Sequence, residues 1–112
     1  VGGQDRSRLF TDLASVLHAE MWDPSTGEFT VLEPPMAVPR NYHSIALLMK
    51  DGRVFSAGGG LCGDTCGDAN HPDYHILTPP YLLNSDGTDA TRPNLMFATQ
   101  RIGVAESDVC YT

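Results

Sequence analysis

A tyrosine followed directly by a histidine, Tyr42-His43, is the dipeptide of this sequence best equipped for chemistry. A phenol oxygen and an imidazole nitrogen together suit Cu(II) in a tetragonal nitrogen and oxygen site. The pair stands within Arg40-Asn41-Tyr42-His43-Ser44, where a proline-rich crossing meets an apolar run. Successive side chains of a regular strand point to opposite faces, so both donors reach one ion only over an irregular backbone. A junction between loop and strand permits that. The competing reading is a buried histidine bonded to a carbonyl beside a core tyrosine.

Two further groups carry chemical potential. Cys62, Cys66, His71 and His75 follow a C-x3-C-x4-H-x3-H spacing, which is compatible with a small structural zinc site. The same two cysteines can instead close a short disulfide across a Gly-rich loop, leaving both histidines solvated. Phe10 stands in a segment leaving a Gly-Gly pair, where an aromatic either walls a pocket or packs in a core.

The segments around these residues read as β-structure. Eleven Gly and eight Pro in 112 residues point to many turns and few helices. Leu9–Ala19 comes closest to an apolar helical face and is ambiguous. Glu20-Met21-Trp22 and Phe29-Thr30-Val31-Leu32 read as strands around a tight turn, Asp23-Pro24-Ser25-Thr26-Gly27. Residues 33–41 carry prolines that forbid a ladder and read as a crossing. Ser44–Met49 is an apolar run of strand length, expected to be buried on both faces. Asp51-Gly52 makes a hairpin turn, and Val54–Ala57 runs back to Gly58-Gly59-Gly60. After an irregular loop over 60–72, a third strand is expected near Tyr74–Leu77. Thr78–Leu83 reads as an edge strand, and Asn84–Asp89 as a turn or linker.

Gly-Gly recurs at Gly2-Gly3 and Gly58-Gly59, an interval of 56 residues. That is close to the kelch period of about 50 residues. The expectation is an all-β chain holding about two propeller blades and a stub. Propellers close with about four to eight blades, so further chain is expected elsewhere. The start at Val1, without an initiator Met or a signal peptide, fits the same expectation of a piece of a larger protein. Formal net charge is −7, and a surface of that sign repels phosphate backbones, so no nucleic-acid partner is expected. No apolar run approaches membrane-spanning length. The close cysteine pair hints at an oxidising compartment, while Cys110 makes the total odd.

The words RNYHSIALL, DGRVFSAGGGLCGD, NH, TPPYLLNSDG and TRP occur in this order, after VGGQ, Phe10 and MWDPSTGEF. In these words the chain resembles the copper radical oxidases, the family of galactose oxidase and glyoxal oxidase, from Val1 to about Asn94. The resemblance implies a kelch-type propeller followed by an immunoglobulin-like sandwich. Residues 1–91 would be the end of the propeller, and 92–112 the start of the sandwich (early set) domain. Phe97–Thr112 matches that domain poorly, and Cys110 has no counterpart.

Further implications concern single residues. Tyr42 matches the family's axial copper tyrosine, which also accepts the substrate's hydroxyl proton, and His43 matches an equatorial copper histidine. Phe10 falls where the family places an aromatic beside the substrate. Cys62 and Cys66 sit where it carries a disulfide, although the family's loop reads C-x-x-C, one residue shorter. The implied reaction oxidises a primary alcohol or aldehyde, including carbohydrates, and reduces O₂ to H₂O₂. Its cofactor is one copper with a Tyr–Cys radical, and that Tyr, that Cys and a second His lie outside this chain. A secreted, monomeric parent is implied, and the chain alone is expected to be inactive. Two alternatives stand beside this reading. One is a kelch-type binding module without catalysis, and the other a small zinc-stabilised unit.

Overall fold

The computed structural model describes residues 1–60, 63 and 67–94. Among them are five strands in two antiparallel sheets, two short 3₁₀ turns and no α-helix. The chain is mainly β, as its turn residues predict.

The first sheet is a hairpin of β1 (Ala19–Asp23) and β2 (Glu28–Leu32), in register from Ala19↔Leu32 to Asp23↔Glu28. Its turn is fixed by local polar chemistry. Asp23 Oδ1 accepts from the Ser25 amide at 2.8 Å and the Ser25 hydroxyl at 2.6 Å, and Gly27 adopts φ +74°. The second sheet orders β3 (Ile45–Leu48), β4 (Val54–Ala57) and β5 (Tyr74–Leu77) as β3-β4-β5. Its β3–β4 turn uses Gly52 at φ +85°, while Asp51 bonds the Arg53 amide at 3.0 Å and its Nε at 2.7 Å. The Asp51 carboxyl is accordingly held below its ordinary value, first by the Arg53 backbone amide and then by its side chain.

Two expectations are corrected. Ser44–Met49 does form a strand, but not one buried on both faces: Ile45, Leu47 and Leu48 are 50, 56 and 75% exposed. β3 is an edge strand of its sheet, bonded to β4 alone. Thr78–Leu83 is not an edge strand. Pro79 is extended, and Pro80–Leu82 forms a 3₁₀ turn, because the two prolines remove the donors that a strand needs. Leu9–Ala19 is no helix: a Gln4↔Ser15 bridge closes an irregular loop over 4–15, and Ala19 already opens β1. The turn at Asn84–Asp89 is present, closed by Asn84 N donating to Thr88 O at 2.8 Å.

Arg40 ties the crossing to the second sheet. Its side chain is 1% exposed. Nη1 donates to Gly58 O at 3.0 Å and Asp73 Oδ1 at 3.0 Å, and Nη2 donates to His75 Nδ1 at 2.8 Å. Its carbonyl accepts from Gly3 N at 2.8 Å, so one residue joins the start of the chain, the end of β4 and β5.

Candidate metal centre

The Tyr42-His43 corner lies immediately before β3. A turn from Asn41 to Ser44, closed by Ser44 N donating to Asn41 O at 3.0 Å, places Tyr42 and His43 at its two central positions. His43 has φ +64°, in the left-handed region that ordinary residues avoid. That conformation breaks the strand alternation which would have sent the two side chains apart. Their rings are stacked instead, with centroids 3.8 Å apart and planes at 30°. The irregular backbone required at the sequence level is therefore present.

The opposite wall is the Gly58-Gly59-Gly60 turn, which continues from β4 where Ile45 pairs with Ala57. Gly60 N donates to Tyr42 O at 2.7 Å, and His43 Nδ1 donates to Gly60 O at 2.9 Å. One glycine thus grips both residues. A side chain there is excluded, since a Cβ on Gly60 would lie 2.5 Å from Ala69 O and 2.5 Å from Asn70 Oδ1. A carbonyl can only accept, so the Nδ1 proton is fixed and the neutral ring keeps its lone pair on Nε2. This is the usual arrangement of a metal-ligating histidine, whose other nitrogen is held by a carbonyl or carboxylate.

Phe10 joins the same place. Its ring meets Tyr42 edge to face, with centroids 4.9 Å apart and planes at 86°. Phe10 and Tyr42 are 39% and 38% exposed, leaving part of each ring open. The loop carrying Phe10 is built around Gln4. The Gln4 Nε2 amide donates to the carbonyls of Arg8, Thr11 and Leu13 at 3.1, 3.1 and 2.8 Å. Asn41, next to Tyr42, donates through Nδ2 to Thr11 O at 3.2 Å and Ser15 Oγ at 2.8 Å. A cleft of about 390 Å³ adjoins the corner, lined by His43, Gly58, Gly59, Gly63, Asn70, His71 and Pro72.

The structure therefore brings Phe10, Tyr42 and His43 together, with one imidazole nitrogen and one phenol oxygen as the donor atoms of the Tyr42-His43 corner. No group of three His, Cys, Asp or Glu able to hold a metal occurs among the described residues. The donors present fit a copper site as two of its ligands. The zinc arrangement fits poorly. An arginine only donates, so His75 Nδ1 accepts from Arg40 and the ring proton sits on Nε2, leaving His75 no nitrogen for a metal. His71 Nε2 meanwhile bonds Asp12 Oδ2 at 2.8 Å. Cys62, Cys66 and Cys110, with the Cys62–Cys66 disulfide expected for them, lie outside the described residues.

Gln4, Asn41 and Asp12 escape sequence reasoning as site residues. Their roles are bonds across 4 to 59 residues of chain, which no period or spacing reports. The one available signal was Asn41 standing directly beside the Tyr-His pair.

No family model matches the chain. A solved structure of a fungal alcohol oxidase of the AA5 family, in complex with copper, superposes with a TM-score of 0.72 at 48% identity. The match covers 82% of this chain and 19% of that one. The chain is homologous to a segment of the AA5 copper oxidases. Within that class, galactose oxidase of Gibberella zeae is 48% identical to it over 94 residues, which is 84% of this chain and 13% of that protein. The chain thus spans about an eighth of the length of the curated relative it matches.

Proposed function

We propose that this chain is the part of a copper radical oxidase in which Tyr42 and His43 would hold the copper and Phe10 walls the substrate. The observation that carries the reading is the Tyr42-His43 corner, with His43 Nδ1 donating to Gly60 O so that Nε2 is free for a metal. Residues 1–91 are assigned to the end of a kelch-type propeller, and 92–112 to the start of an immunoglobulin-like domain. The two antiparallel sheets fit successive blade portions.

In this reading Tyr42 and His43 would hold copper, which together with the family's Tyr–Cys group would supply two oxidising equivalents when bound. Tyr42, as its phenolate, would accept the hydroxyl proton of a primary alcohol and become the neutral phenol. Phe10 packs against Tyr42 and presents its open face to the substrate carbon chain. The overall change is RCH₂OH + O₂ → RCHO + H₂O₂, and an aldehyde substrate is taken to the acid as its hydrate, RCH(OH)₂ + O₂ → RCOOH + H₂O₂. The substrate is a small alcohol, aldehyde or carbohydrate. The parent is assigned as a secreted monomer, in which Cys62 and Cys66 are bonded to each other.

The test is peroxide formation by the full-length, copper-loaded protein on primary alcohols, carbohydrates with a primary hydroxyl, and small aldehydes. Turnover with one copper per chain supports the reading. Saturable carbohydrate binding without copper or peroxide would support the other reading, a propeller that binds without catalysis.

A further inference from the structure

We infer that Asp12 and His71 are a positioning pair that sets Phe10 against Tyr42, and so governs which substrates the site accepts. The inference rests on the proposed function for its meaning in catalysis, and on geometry alone for the positioning itself. His71 Nε2 donates to Asp12 Oδ2 at 2.8 Å, across 59 residues of chain. The two side chains are 16% and 32% exposed, so the bond is largely shielded from competing water.

Each partner is anchored where it matters. The His71 amide donates to Gly59 O at 3.1 Å. Its ring lies over Gly59, where an added Cβ would come within 3.3 Å of His71 Cδ2. His71 is thereby fixed to the turn whose next residue, Gly60, grips Tyr42 and His43. Asp12 sits two residues beyond Phe10, in the loop closed by the Gln4↔Ser15 bridge. Phe10 itself has φ +62°, a conformation that a bulky residue keeps only when its surroundings impose it.

Gln4 gives the loop its internal shape, but every Gln4 bond stays inside the loop. Two side chains from outside attach it to the site: Asn41 from the Tyr42 side, and His71 from the glycine-turn side. Asp12 Oδ1 is buried without a hydrogen-bond partner among the described residues, an arrangement that costs stability. Loss of the Asp12–His71 bond leaves Asn41 as the one side-chain hydrogen-bond tie from outside the loop, and loosens the hold on Phe10 relative to Tyr42.

The experiment uses the full-length protein and the variants His71→Ala, His71→Gln, Phe10→Ala and the double variant Phe10→Ala/His71→Ala. Hydrogen exchange of segment 4–15 is read first, in copper-free protein. His71→Ala should speed exchange there while leaving 45–57 unchanged. His71→Gln, whose amide can still reach Asp12, should restore protection. In copper-loaded protein, His71→Ala should raise KM for a primary alcohol by about 2- to 10-fold, the range of one hydrogen bond. Copper content should stay at one per chain. The KM effect should vanish in the Phe10→Ala background, because the pair acts through that ring. Unchanged exchange in 4–15, or a KM effect of full size without Phe10, would overturn the inference. A wild-type protein that holds no copper would overturn the proposed function instead, and the exchange result would still decide the positioning.

Discussion

His43 keeps a left-handed backbone without the benefit of being a glycine, and it does so because Gly60 holds it from both sides. Positive φ at an ordinary residue persists only where the surroundings impose it, at a cost of about 1–3 kcal/mol. Here the constraint is the pair of bonds Gly60 N to Tyr42 O and His43 Nδ1 to Gly60 O, at 2.7 and 2.9 Å. Gly60→Ala would drive a methyl group into Ala69 O and Asn70 Oδ1. Ala69 O and the neighbouring Asn70 Cα, 2.8 Å from that methyl position, are backbone atoms, so the turn has to move. In the full-length protein this variant is expected to lower both thermal stability and copper content, read by calorimetry and metal analysis. Tyr42→Phe should separate two roles. It keeps the ring contacts with Phe10 and His43, removes the phenol oxygen, and should retain copper while peroxide formation falls by about 10²–10⁴-fold, the usual cost of losing a general base. Copper lost together with activity would mean that Tyr42 is a required ligand rather than chiefly a proton acceptor.

At the scale of elements, Arg40 is the link between the crossing and the second sheet. Its fork meets Gly58 O, Asp73 and His75 at once, a geometry that the single ammonium of lysine does not reproduce. Arg40→Lys is expected to cost about 2–3 kcal/mol in the full-length protein, by analogy with lost charge-assisted hydrogen bonds. Denaturant midpoints would measure it. Asp73 has its carboxyl lowered from 3.8, first by the hydrogen bond from Arg40, with desolvation opposing. A carboxyl lowered in the folded state contributes stability above its unfolded value and loses it as pH falls through the folded value. The stability difference between wild type and Asp73→Asn should therefore be full at neutral pH and shrink below about pH 4. A difference independent of pH would mean that the ion pair contributes nothing. These elements also show what a sequence can and cannot reveal. Both hairpins were legible because Asp23–Gly27 and Asp51-Gly52 carry their turn geometry locally. The 3₁₀ turn at Pro80–Leu82 was misread as a strand, because apolar residues beside proline fit either. The burial of Ser44–Met49 was misjudged for a different reason: an apolar run states what a strand seeks, not what lies next to it. Tyr42 and His43 were legible as a pair, and the φ of His43 that brings their rings together was legible only as a requirement.

For the whole molecule, exposed apolar surface dominates. Among the described residues the buried apolar side chains are Ala19, Met36 and Ala69, while Trp22, Phe29, Val31, Ile45, Leu47 and Leu48 are exposed. A core that small does not offset the entropy of ordering a chain of this length. The 112-residue chain taken alone is therefore expected to bind a hydrophobic dye, to unfold without a sharp transition and to form no peroxide from alcohols, even with copper added. A cooperative transition would show that its two sheets suffice. The central claim, that this chain furnishes copper ligands, is tested most directly by metal analysis and peroxide assay of full-length His43→Ala beside the wild type. The account predicts that copper falls well below one per chain and that turnover drops at least about 100-fold, beyond what loss of a group that merely orients a ligand costs. Full copper and undiminished turnover in His43→Ala would contradict it, and His43 would then be a histidine held by Gly60 for structure alone.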